Sequence, residues 1–189
     1  YSGNRKFTVG LGTRYEWNKY KPSIQSIHEV SGKNEFVTSY TYGAVNTLDK
    51  SIYPNRGWKV DAELGWVYNQ SPGVTYFSNG EPINNLDSLG IAYNNFTRAT
   101  LNAEMYVPLH RRSTLFTLFQ SGVNFDYKQN IVNDFTIGGM TRLFRNQVLF
   151  AGLEEGSITT PSVATLQLGY RYEVFNNRER IGAPGFHHD

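Results

Sequence analysis

The chain has no cysteine, so neither a disulfide framework nor a thiolate metal site can hold it together. It lacks a charge excess: a formal net charge of +2 creates no field that would draw nucleic acid. It lacks long apolar stretches as well. The longest uninterrupted one, residues 148–153, falls far short of the roughly 18 residues a membrane helix requires. The mean hydropathy is slightly negative, which taken alone describes a soluble protein. The start, Tyr1-Ser2-Gly3-Asn4, carries no basic-then-apolar signal pattern, and the 189 residues read as a piece of a longer protein.

What is abundant points elsewhere. There are 13 Tyr, 12 Phe, three Trp and 18 Gly. Aromatics, glycine and modest average hydropathy combine in a membrane β-barrel, because half of its strand positions face water and dilute the mean. The patterning agrees. In residues 6–18, Phe7, Val9, Leu11, Tyr15 and Trp17 alternate with Lys6, Thr8, Gly10, Gly12, Arg14, Glu16 and Asn18. A period of two over such a length predicts a strand. The same reading gives strands over residues 36–48, 58–69, 96–109, 114–126 and 162–174, the fifth less cleanly two-faced. Residues 19–35 read as a polar connection and residues 70–95 as a long loop, with short turns at 54–57 and 110–113. Long and short connections therefore alternate, as in an outer-membrane barrel with long extracellular loops and short periplasmic turns.

Six strands of about 12–14 residues suit a bilayer, which takes about 9–11. Sandwich strands run to about 5–6, although a soluble β-sandwich binding module shares the alternation. Trp58 and Trp66 lie eight residues apart, about 26 Å at ~3.3 Å per residue. With a tilt of ~40° this is roughly 20 Å of height, close to the separation of two aromatic girdles. Trp17, Trp58, Trp66, Tyr68, Tyr170 and Tyr172 are the candidate girdle residues. The opposite rows carry mixed charges: Arg14 with Glu16, Lys59 with Asp61 and Glu63, Arg98 with Glu104, and Arg171 with Glu173.

One stretch breaks the alternation. Residues 134–160 begin on a strand-like pattern, collapse into Gly138-Gly139, pass through Leu143-Phe144-Arg145-Asn146-Gln147 and end on the apolar run. It is too long for a hairpin turn and too apolar for a surface loop, since Phe144, Leu149, Phe150 and Leu153 all need cover. It is expected to fold back into the barrel.

These motifs resemble the C-terminal barrel of the bacterial surface antigen, or outer-membrane assembly-factor, superfamily. Asp49 with Pro54-Asn55-Arg56-Gly57 looks like its hairpin, and Phe135-x-x-Gly138-Gly139 like the approach to its long lumenal loop. The resemblance implies an antiparallel transmembrane β-barrel of about sixteen strands, about six of them here. It also implies that Arg145 plugs into the lumen and meets a carboxylate, with Glu63, Glu104 and Glu173 as candidates. Asn146 stands where the family carries glycine. The form Arg145-Asn146-Gln147, then Phe150-Ala151-Gly152-Leu153-Glu154, is more similar to barrels fused behind patatin-like phospholipases.

That similarity implies a bacterial outer-membrane anchor for an N-terminal acyl hydrolase not contained in these residues. The partners would be outer-membrane lipid and that N-terminal domain, with a homodimer as the assembly to test. An assembly or secretion barrel is the other membrane reading. The chain has no Gly-x-Ser-x-Gly elbow, so no catalytic residue is assigned. His28, His110, His187 and His188 are scattered, and no metal or cofactor is expected.

Overall fold

The computed structural model describes residues 6–20, 28–78, 81–83, 90–129, 132–141 and 145–174. The period-two segments become the long strands β1 (Lys6–Tyr20), β2 (His28–Asn46) and β3 (Gly57–Ser78). A short β4 (Glu81–Ile83) follows, then β5 (Phe96–His110) and β6 (Ser113–Phe125). Three short strands come next, β7 (Phe135–Ile137), β8 (Gln147–Val148) and β9 (Ile158–Thr160). The last is β10 (Ser162–Tyr172). The large sheet runs β1-β2-β3-β5-β6-β10, antiparallel throughout, with β4 added to β3. Among the described residues β1 and β10 are its edges, so the sheet is an open part of a barrel wall.

Two readings of the connections are corrected. Residues 19–35 are mostly strand: β1 continues to Tyr20, and β2 begins at His28. Residues 70–78 likewise extend β3, and residues 71–78 pair with residues 28–35 of β2. The physical reason is simple. Loss of apolar alternation marks where a strand stops facing an apolar medium, not where its backbone ladder ends; beyond that level the β3 extension is held by Tyr76, packed with Ile91 and Val132.

Register assigns the faces, since directly opposite residues share one. Phe7, Val9, Leu11, Tyr15 and Trp17 of β1 lie on one face with Leu64 and Trp66 of β3, Leu101 and Met105 of β5, and Leu166, Leu168 and Tyr170 of β10. All are exposed, up to 84% for Leu11 and 72% for Leu168. We call this the outer face. Arg14, Glu16, Glu63, Arg98 and Asn124 share the inner one. Strand β2 departs from the rule that large rings face outward. Phe36, Tyr40 and Tyr42 are inner residues, while Val37, Ser39, Thr41, Gly43 and Val45 face outward. Strand β6 looks two-faced in neither sense because Phe116 and Leu118 point inward and Thr117 and Ser121 outward.

Inner glycines explain where those rings go. A Cβ on Gly12 would sit 2.6 Å from the Tyr40 ring, one on Gly10 2.5 Å from Tyr42, and one on Gly169 2.1 Å from Phe116. Each glycine leaves the floor on which a cross-strand ring lies, a pairing that also pins register. The Tyr40 ring cannot simply move aside, because the Arg14 guanidinium sits 4.2 Å above its centroid. Gly12→Val is therefore expected to cost about 1–3 kcal/mol by overpacking. Gly43→Val, with nothing within 4 Å of the added Cβ, should be neutral or mildly stabilising. Apparent melting temperatures of the two variants in detergent check this; equal temperatures would refute the packing argument.

The β2–β3 turn is a built structure. The Asp49 carboxylate accepts the amides of Asn55 at 2.9 Å and Arg56 at 3.1 Å. Gly57 has φ +112, and a Cβ there would meet the Thr47 carbonyl oxygen at 2.4 Å. This turn reaches across to β10, where Arg171 Nη2 donates to the Pro54 carbonyl at 2.6 Å and also to Asn55 Oδ1.

Candidate functional site: the segment packed on the inner face

Residues 126–161 connect β6 to β10, and the described ones among them include several that pack on the inner face. Asp126 and Asn133 open the path with left-handed φ of 55° and 68°, a conformation that Asp and Asn tolerate better than most residues. Val132, Asn133, Asp134 and Phe135 are all buried. The Phe135 ring occupies the floor left by Gly122, whose Cβ would approach it to 2.4 Å. Gly138 and Gly139 then turn with φ of 126° and 82°. A Cβ on Gly138 would stand 1.9 Å from the Glu154 carbonyl oxygen, so no other residue fits.

This turn lets the segment pair with itself. Strand β7 is flanked by parallel β8 and antiparallel β9. Thr136 N donates to the Asn146 carbonyl at 3.0 Å, and Gln147 Nε2 to that of Gly138 at 2.9 Å. The small sheet thereby aims residues 145 and 146 at the barrel wall.

Three tethers hold it there. Arg145 Nη2 meets Glu63 Oε2 at 2.6 Å, and the other carboxylate oxygen of Glu63 meets Arg14 Nη2, also at 2.6 Å. Arg14 Nε in turn reaches Glu16 at 2.8 Å. Both arginines lie over the Tyr40 ring, Arg145 at 5.9 Å from its centroid. The second tether is Arg98, only 4% exposed. It donates to Asn124 Oδ1 at 2.9 Å, Asn146 Oδ1 at 2.8 Å and the Asn133 carbonyl at 2.6 Å, between the rings of Phe96 and Phe135. The third is the Asn133 side chain, which accepts from Asn18 of β1 at 3.4 Å and donates to Gln70 of β3 at 3.5 Å. Asn124 Nδ2 of β6 also donates to the Asn133 carbonyl at 3.3 Å, so the one segment is bound to β1, β3, β5 and β6.

A cleft of about 570 Å³ remains between segment and wall, bordered by Tyr42, Asp61, Glu63, Asn102 and Arg145. Its carboxylates are both ion-paired: Asp61 with Lys59 at 3.2 Å, and Glu63 with the two arginines. The arrangement binds and orients a chain segment; it offers no paired nucleophile and base.

A family model of the OMP85 superfamily matches residues 2–183. The chain belongs to the OMP85 superfamily. No curated protein and no solved structure matches it at a comparable level. OMP85 superfamily members are membrane-embedded β-barrels of the outer membrane, and the all-β antiparallel sheet of this chain agrees with a part of such a barrel.

Within this OMP85 fold, the sequence-derived site residues fall into separate places. Gly138, Gly139, Arg145 and Asn146 come together with Glu63 in the tethered segment. Glu104 instead faces Lys59 at 3.8 Å and Tyr106 at 3.2 Å, and Glu173 lies past the end of β10. Trp17, Trp58, Trp66, Tyr170 and Tyr172 are exposed on the outer face; Tyr68 is half-buried, its hydroxyl 3.1 Å from Ser39. The apolar run is less covered than its composition demanded. Val148 packs with Phe135 and Val163, but Phe150 stays 36% exposed. Leu143, Phe144, His187 and His188 lie outside the described residues.

Sequence reasoning missed Arg98, Asn124 and Asn133 as tethers. Arg98 was one of many inner polar residues, and periodicity assigns a face without showing which residue lies beneath the returning segment. The only signal was Asn146 itself, a side chain where the family carries none.

Proposed function

We propose that this chain forms part of the wall of a bacterial outer-membrane β-barrel whose lumen is closed by its own returning segment, and that the barrel serves as an anchor rather than a conduit. The observation that carries the reading is the triple tether: Arg145 to Glu63, Asn146 to Arg98, and Asn133 to β1 and β3. A segment held to four strands is a poor gate. The bare outer rows of Leu, Tyr and Trp supply the lipid-facing surface. The stretch Arg145-Asn146-Gln147 with Phe150–Glu154 favours an N-terminal patatin-like acyl hydrolase as the anchored partner.

OMP85 superfamily membership favours a second reading, a barrel that assembles or secretes other proteins. Depletion of the full-length protein separates the two. Under the anchor reading, the amounts of other outer-membrane barrels stay unchanged and a surface-associated acyl hydrolase activity is lost. A general fall in folded barrels with hydrolase activity retained would overturn it.

A further inference from the structure

The outer rows of the six long strands carry no charge from the β2–β3 and β5–β6 turns up to Trp17. The first charges on that face are Lys19, Lys33 and Glu35, all on the β1–β2 hairpin. Lys19 and Lys33 are directly opposite in register, an arrangement that destabilises a strand pair unless an anion relieves it. Glu35 relieves Lys33 alone: it pairs with the Lys33 ammonium and accepts from the Tyr15 hydroxyl at 2.5 Å. Lys33 also lies 5.5 Å from the centre of the Trp17 ring. Lys19 is exposed and has no ion pair among the described residues.

The height of this cluster names its ligand. Phe7 to Trp17 spans ten residues, about 33 Å at ~3.3 Å per residue, or roughly 25 Å of height at a tilt of ~40°, the full apolar band of a barrel. Lys19 and Lys33 therefore sit one step beyond the hydrocarbon, at headgroup level, with a tryptophan at the boundary.

We propose that Lys19 and Lys33 form a seat for the phosphate of a membrane-lipid headgroup, with Trp17 packing against that lipid's chains. Two ammonium groups opposite each other can converge on one phosphate as point charges. The inference rests on the membrane reading above. The test uses the full-length protein in vesicles of phosphatidylcholine with phosphatidic acid, followed by native mass spectrometry of retained lipid. Wild type should retain phosphatidic acid over phosphatidylcholine by on the order of tenfold. Lys19→Gln/Lys33→Gln should abolish that preference, and Glu35→Gln should raise it. Equal retention of both lipids by wild type, or a preference that survives the double substitution, would overturn the seat while leaving insertion intact. Displacement by inorganic phosphate would show an anion site that is not lipid-directed, and also overturns it. Failure of wild type to enter vesicles would instead refute the membrane reading, and the seat with it.

Discussion

Glu63→Ala is expected to be the most damaging single change on the inner face, worse than loss of Arg145. Glu63 gives one oxygen to Arg14 and the other to Arg145, both at 2.6 Å. Its side chain is 16% exposed and that of Arg14 15%. Removing one partner of such a poorly hydrated pair costs about 3–5 kcal/mol. It also leaves two guanidinium groups facing each other over Tyr40. Arg145 is different: its side chain is 52% exposed, so water and salt screen its share of the pair to about 1 kcal/mol or less. Arg145 is thus the visible half of the clamp, and the carboxylate beneath it is the costly half. Heat-dependent gel mobility provides the measurement. The apparent transition of Glu63→Ala should fall on the order of 10 °C, that of Arg145→Ala by a few degrees, and Glu63→Gln should lie between them. Equal shifts for Glu63→Ala and Arg145→Ala would show that the Arg14–Glu63 half contributes nothing.

Arg98→Ala should release the segment itself. Arg98 is buried and supplies donors to three oxygens, two of them on residues 133 and 146 of the segment. The Asn133 carbonyl keeps the Asn124 Nδ2 donor at 3.3 Å, so the loss falls on Asn124 Oδ1 and Asn146 Oδ1, at about 1–3 kcal/mol for a buried acceptor left without its donor. A net loss of about 3 kcal/mol raises local opening on the order of a hundredfold. Limited proteolysis should then cut within residues 134–160 at protease concentrations that leave wild type whole, and amide exchange there should accelerate while β1–β3 stay protected. Arg98→Lys should not restore protection, because an ammonium cannot serve three acceptors through a planar fork. An uncut segment in Arg98→Ala would mean that the Glu63 clamp and Asn133 suffice.

The long strands were legible because alternation is a direct consequence of a wall with two unlike faces. Residues 6–18 and 58–69 state it almost without exception. Alternation could not show where the ladders end, since residues 28–35 and 71–78 pair beyond the alternating rows, beside a separate apolar cluster of Tyr76, Ile91 and Val132. It misled in β2, where Tyr40 and Tyr42 turn inward to cover Gly12 and Gly10. That exchange is visible only once β1 and β2 are in register. The double glycine and Arg145 were legible as motifs. Their partners were not: Glu63, Glu104 and Glu173 are equivalent by pattern, and only the folded position of Arg145 brings one of them within 2.6 Å of the guanidinium.

These 189 residues contain no cysteine, so once any cysteine elsewhere in the protein is replaced the central claim is directly measurable. Single cysteines placed along β1 at positions 7 to 18 of the full-length protein, spin-labelled in bilayers, report contact with oxygen in lipid or with a nickel chelate in water. The expected result is a strict period of two, with odd positions oxygen-accessible and even positions shielded from lipid. Chelate access at positions 7, 9, 11, 15 and 17, equal to or above that at positions 8, 10, 12, 14, 16 and 18, would contradict a lipid-facing outer row.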